Sequence, residues 1–322
     1  MKHLFTLISV LIFIPFEFFG QVQDSCSFTS EEITLQTPTG DIYGTLTMPV
    51  GLEATPVVLI IAGSGPTDRN CNSPLGVHTN AYRMLAEGLA GLGISTLRFD
   101  KRGIRESHAA MTAENDLRFE TYVQDVVSWI SLLKADLRFS NVVLLGHSEG
   151  SLVGIVAAQL ADVDRFISVS GVGRSADQLL QEQLKSQLPP MLMDASNQIL
   201  DSLRAGRTVE KVNPFLATLY RQSVQPYLIS WIKYNPAVEI SRLTIPVLII
   251  QGTTDLQVTE EDAKLLAAAK PEAKLLLISN MNHVMKESDE DIQNNRATYS
   301  KPDLPLKSGL VSEIVHFISG TD

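Results

Sequence analysis

A serine between two glycines is the first feature of this chain that could do chemistry. Residues 146–150 read GHSEG and follow the apolar run of residues 141–145. Ser148 therefore stands between a predicted strand and the small, apolar segment 151–160, which predicts a buried helix. A turn this tight strains the serine backbone, pushes its hydroxyl out of the sheet and requires glycine two positions before and two positions after it. The alternative interpretation is a glycine-flanked turn with an incidental serine.

A serine nucleophile needs a histidine as base and an acid that orients the base. In a sheet of this kind the chain order is serine, acid, histidine. His283 directly follows the last predicted strand, whereas His316 lies in an amphipathic terminal helix where packing or solvation explains it. Asp255 follows the preceding strand, while the acids at 260–262 begin a helix whose dipole they stabilise. We therefore predict that Ser148, Asp255 and His283 are the catalytic residues.

Two backbone N–H groups are expected to bind the oxygen that becomes negative during acyl transfer. One is the N–H of Glu149, the residue after the nucleophile. The other belongs to the loop AGSGPTDRN at residues 62–70, which follows the third predicted strand. Ser64 is the predicted donor there, and Gly65 is the alternative, because Pro66 has no N–H. An ordinary glycine–proline turn would also explain this loop.

The charged residues near the predicted site are expected to have structural roles. We expect Asp100 and Arg102 to tie loops together beneath the site rather than to touch substrate. The carboxylate of Glu149 is expected to form an ion pair with Arg69, Arg102 or Arg105.

Apolar periodicity predicts the elements that position these residues. Residues 31–37 and 41–48 alternate around a Pro-Thr-Gly turn and predict a hairpin. Further strands are predicted at 57–62, 94–99, 141–145, 165–170, 246–251 and 274–278, and helices at 82–92, 119–134, 151–160, 259–270 and 309–318. Strands that alternate with helices indicate an α/β fold with a mostly parallel sheet, which binds ligands beyond the carboxyl ends of its strands. Residues 174–240 lack strand signals and predict a helical cap inserted into a single domain of residues 21–322.

The N-terminus has the layout of a secretory signal peptide. A positively charged start is followed by an almost wholly apolar stretch to Phe19, and Gly20 is the predicted last residue of the leader. We therefore expect residues 1–20 to be removed and the protein to be periplasmic or secreted, without a stable membrane anchor. The alternative is an N-terminal anchor that is retained. Cys26 and Cys71 are the two cysteines, and an oxidising compartment permits either a bond between them or two free thiols.

The composition limits the class of partner. The chain of 322 residues carries a formal net charge of −10. Nucleic acids and anionic membrane surfaces require a basic footprint, so neither is an expected partner. The cysteines lack the neighbours of a metal site, and the proposed chemistry requires no metal or organic cofactor.

The segments named above resemble the α/β-hydrolase superfamily, and in particular its esterase branch, which is grouped with serine aminopeptidases and lysophospholipases. The resemblance is carried by AGSGPTDRN (62–70), RFDKRG (98–103), GHSEG (146–150), PVLIIQGTTD (246–255) and NMNHVMK (280–286). It implies an α/β-hydrolase fold with helices on both sides of the sheet and a Ser-His-Asp triad. It also implies a carboxylesterase that cleaves small-molecule esters of small or medium acyl chains through an acyl-enzyme.

Two other functions are compatible with the same residues. One is hydrolysis of an amide, a peptide or a lysophospholipid. A peptidase would carry acidic cap residues aimed at a substrate amine, but Glu182, Asp194 and Glu210 are scattered along the sequence. The other is a non-catalytic binding protein, which the presence of all three triad residues argues against.

Overall fold

The strands form one large sheet and one small hairpin. The computed structural model describes residues 26–111, 113–185 and 187–320. Its strands are β1 (Phe28–Leu35), β2 (Ile42–Pro49), β3 (Thr55–Ile61), β4 (Asn72–Ser73), β5 (Val77–His78), β6 (Ser95–Phe99), β7 (Phe139–His147), β8 (Arg165–Val169), β9 (Val247–Gly252) and β10 (Lys274–Ile278). Eight of these strands form a sheet in the order β1-β2-β6-β3-β7-β8-β9-β10, while β4 and β5 pair separately.

The sheet is parallel except at one edge. β2 runs antiparallel to both β1 and β6, and each pairing from β6 to β10 is parallel. The parallel strands therefore end at the same edge of the sheet, and loops that follow neighbouring strands meet there. This topology, with helices on both faces, confirms the predicted fold class.

The helices are α1 (Ala81–Gly91), α2 (Phe119–Lys134), α3 (Glu149–Ala158), α4 (Ala176–Lys185), α5 (Pro190–Arg204), α6 (Ala217–Tyr220), α7 (Gln225–Ile232), α8 (Pro236–Ser241), α9 (Glu260–Ala269), α10 (Ile292–Ala297) and α11 (Leu310–Ser319). Helices α4 to α8 occupy the region where the sequence predicts a helical cap. Helix α7 reaches α2, because the backbone N–H of Phe119 donates to the hydroxyl of Ser230 at 2.8 Å. The helical region therefore packs over the same end of the sheet as the start of α2.

Two apolar clusters cover the two faces of the sheet, and β3 contributes to both. Val57, Leu59 and Ile61 pack in the cluster that includes side chains of α2, α3 and α9. Val58 and Ile60 pack in the other cluster, with side chains of α1 and α11. Successive strand side chains point to opposite faces, so a strand that is covered on both faces is apolar throughout.

Several features differ from the sequence prediction or lie outside it. The hairpin of β4 and β5 lies between the predicted strand 57–62 and the predicted helix 82–92, where no strand is predicted, and α10 was not predicted. Cys26 and Cys71 are both free thiols. The leader predicted at residues 1–20 lies outside the described residues. Within the described part of the chain, none of the helices combines the length and apolar character needed to cross a bilayer.

Candidate active site

Ser148 occupies a strained turn between β7 and α3. Its backbone has φ 56° and ψ −123°, a region that residues other than glycine rarely adopt. The N–H of Ser148 donates to the carbonyl of Val169 at 3.0 Å, which ties the turn to the end of β8. The serine therefore stands at the carboxyl end of the central strand and immediately before a helix N-terminus, as the motif predicts.

The glycines of the motif are required by close backbone approaches. A Cβ at Gly146 would lie 2.5 Å from the Cα of Ser151, and a Cβ at Gly150 would lie 2.6 Å from the carbonyl oxygen of Ala62. Real Cβ atoms do not come this close to backbone atoms. A Cβ at Gly63 would lie 3.1 Å from the Cβ of Ser148, so the loop after β3 also runs directly beside the serine.

Asp255 and His283 are brought together from the loops after β9 and β10. The Nδ1 of His283 lies 2.8 Å from the Oδ2 of Asp255, and the side chain of Asp255 is fully buried. Because Nδ1 is engaged by the carboxylate, Nε2 is the ring nitrogen that can accept a proton from a hydroxyl. The two side chains therefore have the geometry of a base and the acid that orients it.

The carboxylate of Asp255 is held in its charged form. Its Oδ1 accepts hydrogen bonds from the backbone N–H groups of Gln257 at 2.8 Å and Val258 at 3.0 Å. Burial by itself would raise the pKa of Asp255, but the interaction with His283 and these hydrogen bonds outweigh it and lower that pKa. The acid thus remains a carboxylate while a positive charge develops on the imidazole.

His147 connects the serine turn to the histidine loop, a role that the sequence analysis did not assign. Its Nε2 lies 2.8 Å from the backbone oxygen of His283, and its Nδ1 lies 2.7 Å from the hydroxyl of Tyr82. A carbonyl only accepts, so Nε2 carries the proton and Nδ1 accepts from Tyr82. Burial, and secondarily the charge of His283, lower the pKa of His147 to about 3, so its ring is neutral at ordinary pH. The rings of His147 and His283 are 4.7 Å apart between centroids, which places the base beside the serine turn.

The two residues predicted to supply the oxyanion donors, Glu149 and Ser64, lie in the segments that border Ser148 at this edge. Glu149 is the first residue of α3, where backbone N–H groups have no partner within the helix. In the loop after β3, the N–H of Gly63 is already used, because it donates to the hydroxyl of Tyr82 at 3.2 Å. Ser64 is the next residue in this loop and is exposed.

The expected ion pair between Glu149 and an arginine is wrong. Each candidate arginine is engaged elsewhere: Arg69 with Glu32, Asp100 and Glu106, Arg102 with Asp125, and Arg105 with Asp68. Glu149 is buried and accepts a hydrogen bond from the hydroxyl of Tyr227 in α7. The carboxylate points towards the helical region rather than towards these arginines, and no local sequence signal indicates that partner.

The expectation for Asp100 and Arg102 agrees with their contacts. Asp100 accepts from the backbone N–H of Arg69 at 2.8 Å. Arg102 holds Asp125 of α2 through two nitrogens and donates to the carbonyl of Ala110 at 3.0 Å. Asp100 thus joins two loops to each other, and Arg102 joins its loop to α2 and to the segment of Ala110.

Comparison with known sequences gives one family model and several relatives. Residues 74–228 match the model described as serine aminopeptidase, S33. Esterase EstD of Thermotoga maritima is 27% identical over 277 residues, which are 81% of this chain and 61% of EstD. The match therefore spans less than two thirds of the length of that relative. Monoglyceride lipase of Rattus norvegicus is 25% identical over 261 residues, which are 76% of this chain and 80% of the lipase.

Comparison with solved structures gives the same fold. Est1E from Butyrivibrio proteoclasticus superposes with a TM-score of 0.57 at 17% identity, covering 89% of this chain and 99% of Est1E. The Pyrococcus furiosus esterase Pf2001 superposes with a TM-score of 0.55 at 16% identity, covering 91% and 93% of the two chains. At this level of identity the likeness establishes the architecture of the sheet and its helices, not the substrate.

Proposed function

We propose that this chain, which is similar in sequence to an esterase and a serine aminopeptidase family model and similar in fold to α/β serine hydrolases, cleaves carboxylic esters of small or medium acyl chains. Ser148 is the nucleophile, His283 the general base and Asp255 the acid that orients it. The backbone N–H groups of Glu149 and Ser64 form the oxyanion hole. The observation that carries the proposal is the pair of Asp255 and His283, 2.8 Å apart, on the two strand-end loops that follow the strained Ser148 in the predicted chain order.

The proposed reaction has two steps. The Oγ of Ser148 attacks the ester carbonyl while Nε2 of His283 takes its proton, and the carbonyl oxygen becomes an oxyanion. When this intermediate collapses, the alcohol leaves with the proton from His283, and the acyl group stays on Ser148. Water then attacks the acyl-enzyme with His283 again as base, which releases the carboxylic acid and restores the serine.

The relatives support an ester as the substrate, and the helical region leaves the acyl length open. The names of both relatives, an esterase and a monoglyceride lipase, describe enzymes that act on esters. Four of the leucines in α4 and α5 are buried: Leu179, Leu184, Leu200 and Leu203. Leu200 and Leu203 pack in the large apolar cluster, and Leu179 packs with Val172 and Val258 from the loops after β8 and β9. An acyl pocket therefore has to be located by measurement.

The test is an ester series on the chain without residues 1–20. The p-nitrophenyl esters from acetate to laurate are assayed with the native protein and with Ser148→Ala. We expect the native protein to favour the shorter or middle members and the variant to lose nearly all activity at an unchanged melting temperature. Hydrolysis that persists unchanged in the variant would reject Ser148 as the nucleophile.

A second candidate is hydrolysis of aminoacyl amides, and the match to the serine aminopeptidase model is the observation that favours it. The acidic residues that such a substrate amine could use are solvent-exposed: Glu182, Asp194 and Glu210. Glu182 is in addition paired with Lys185 at 2.6 Å. Aminoacyl p-nitroanilides and a lysophospholipid are therefore assayed beside the ester series, and activity confined to either class would replace the ester proposal.

We also propose that the protein is exported and begins at Gln21 in its mature form. The charged and then apolar layout of residues 1–20 supports this. N-terminal sequencing of the protein expressed from its full gene in a bacterial host, after separation of the periplasm and medium from the cells, is the measurement. A cytoplasmic protein that keeps Met1 would overturn the proposal.

A further inference from the structure

A buried lysine that the proposed mechanism does not use lies beneath the loop after β3. Lys101 follows β6, the strand beside β3 in the sheet, and only 5% of its surface is exposed. Its Nζ donates to the carbonyl oxygen of Gly63 at 2.5 Å. It also lies 5.3 Å from the centre of the Tyr122 ring, whose π face stabilises a positive charge.

The hydrogen bond from Lys101 to the Gly63 carbonyl determines the direction of the Ser64 N–H. The Gly63–Ser64 peptide is trans, so the carbonyl of Gly63 and the N–H of Ser64 point in opposite directions. Lys101 holds the carbonyl towards the protein interior. The N–H of Ser64 is therefore directed away from Lys101, in a loop that runs beside Ser148. The N–H of Gly63, which belongs to the preceding peptide, donates to the hydroxyl of Tyr82, so the peptide units on both sides of Gly63 are held.

Lys101 also lies near Glu149, the residue whose N–H is the other predicted oxyanion donor. The two residues line one small void between the loop after β3 and α3. Burial lowers the pKa of Lys101, and the charge of Glu149 opposes that effect. Burial likewise raises the pKa of Glu149, while Lys101 and the hydroxyl of Tyr227 oppose it. Lys101 therefore holds the loop of one predicted donor and borders the residue that carries the other.

We propose that Lys101 is a positioning residue that aims the N–H of Ser64 at the transition-state oxyanion by holding the carbonyl of Gly63. The inference rests on the proposed function, because it assumes an oxyanion at this position. It requires a hydrogen-bond donor at position 101, whether the nitrogen is an ammonium or an amine. A lysine that served only to neutralise Glu149 would not need to bind Gly63.

The test separates these two roles with Lys101→Met and the double variant Lys101→Met/Glu149→Gln. The single variant leaves a buried carboxylate without its opposite charge, which is expected to be destabilising. The double variant removes both charges and keeps an oxygen at position 149 that accepts from Tyr227. Lys270→Met is the matched control, because Lys270 is also buried and also donates to a backbone carbonyl, that of Leu243 at 2.8 Å, away from the site.

Removing one oxyanion donor altogether lowers kcat by about 10²–10³-fold. For a misdirected donor we expect the double variant to lose about ten- to a hundred-fold in kcat, with KM within about threefold of the native value. Inhibition by an alkyl boronic acid, which forms a tetrahedral adduct on the serine, should weaken by a similar factor to kcat. Lys101→Arg, which retains N–H donors and the charge, should recover part of the activity, and Lys270→Met should leave kcat unchanged.

A double variant with native kcat and native boronate affinity would overturn the proposal and leave charge neutralisation as the role of Lys101. Loss of the fold in the double variant would overturn it too, since Lys101 would then be a structural residue. A native protein that hydrolyses no ester and does not react with a fluorophosphonate would refute the proposed function instead.

Discussion

Replacement of Asp255 by asparagine tests the proposed triad, because it changes the group that determines which ring nitrogen of His283 carries the proton. The Oδ1 of Asp255 accepts from two backbone N–H groups, and its Oδ2 faces Nδ1 of His283 at 2.8 Å. In asparagine, one of these two oxygens is replaced by an NH₂ group. Because the two backbone donors cannot turn away, the oxygen of the amide must face them. The NH₂ group then faces His283, which has to accept through Nδ1 and carry its proton on Nε2.

This tautomer is the wrong one for catalysis. A proton on Nε2 prevents that nitrogen from taking the proton of Ser148, and the carboxylate that stabilised the imidazolium is also lost. We expect kcat to fall by about 10⁴-fold. A fall of this size corresponds to about 5.4 kcal/mol of lost transition-state stabilisation. Substrate binding does not depend on the tautomer, so KM should change little.

The assay is the hydrolysis of the best p-nitrophenyl ester at pH 7 to 8, with thermal unfolding measured in parallel. Asp262→Asn is the control, because Asp262 is also fully buried and accepts from a backbone N–H, but its partner is Arg174 rather than a histidine. The control should lose about 1–3 kcal/mol of stability and keep its kcat. An Asp255→Asn variant that is folded and retains more than a tenth of the native kcat would refute the assignment of Asp255.

Three further outcomes are expected. Gly150→Ala should cost about 1–3 kcal/mol of stability and most of the activity, because its Cβ would lie 2.6 Å from a backbone oxygen of the loop after β3. Gly91→Ala is the control, because its Cβ would have no neighbour within 4 Å, and urea unfolding should show it to be neutral or stabilising. Arg102→Met should lower the unfolding free energy by about 3–5 kcal/mol, because it leaves the carboxylate of Asp125 buried without its partner, while KM stays native in the folded fraction. Folding lowers the pKa of Asp255, so its stabilising contribution is present above the unfolded pKa of about 3.9 and is lost as pH falls through the lower folded value. The melting temperature should therefore fall as the pH is lowered below about 4. A fall of equal size in Asp255→Asn would show that the protonation of Asp255 is not its cause.

The elements with strong periodicity were predictable from the sequence almost to the residue. Helix α2 covers residues 119–134 and β10 covers residues 274–278, the predicted bounds in both cases. The hairpin of β4 and β5 has two residues in each strand, too few to produce an alternating pattern. Helix α10 reads IQNNRA, has no apolar stripe, and begins where the side chain of Asp291 caps its first N–H groups. Its stability comes from that cap and from its surroundings rather than from a pattern that a sequence can display.

The same distinction applies to the candidate site. The positions of Ser148, Asp255 and His283 follow from motifs that lie at strand ends, because chain order and the parallel sheet bring those ends together. Tyr227 carries no such signal, and Lys101 lies in the segment RFDKRG without any sign there of the carbonyl that it binds. Tyr227 meets Glu149 across 78 residues, from a helical region whose placement no motif specifies.

Lys101 meets Gly63 across 38 residues only because β6 inserts next to β3, between β2 and β3, in the sheet. A sequence motif can identify the atoms that react, since their chemistry requires particular side chains. The groups that aim those atoms bind backbone carbonyls, which every residue has, so their identity depends on which strands are neighbours. The strand order, and not the FDKRG motif alone, therefore places a lysine under the oxyanion loop, and a change at position 101 is expected to affect catalysis through the direction of one N–H bond.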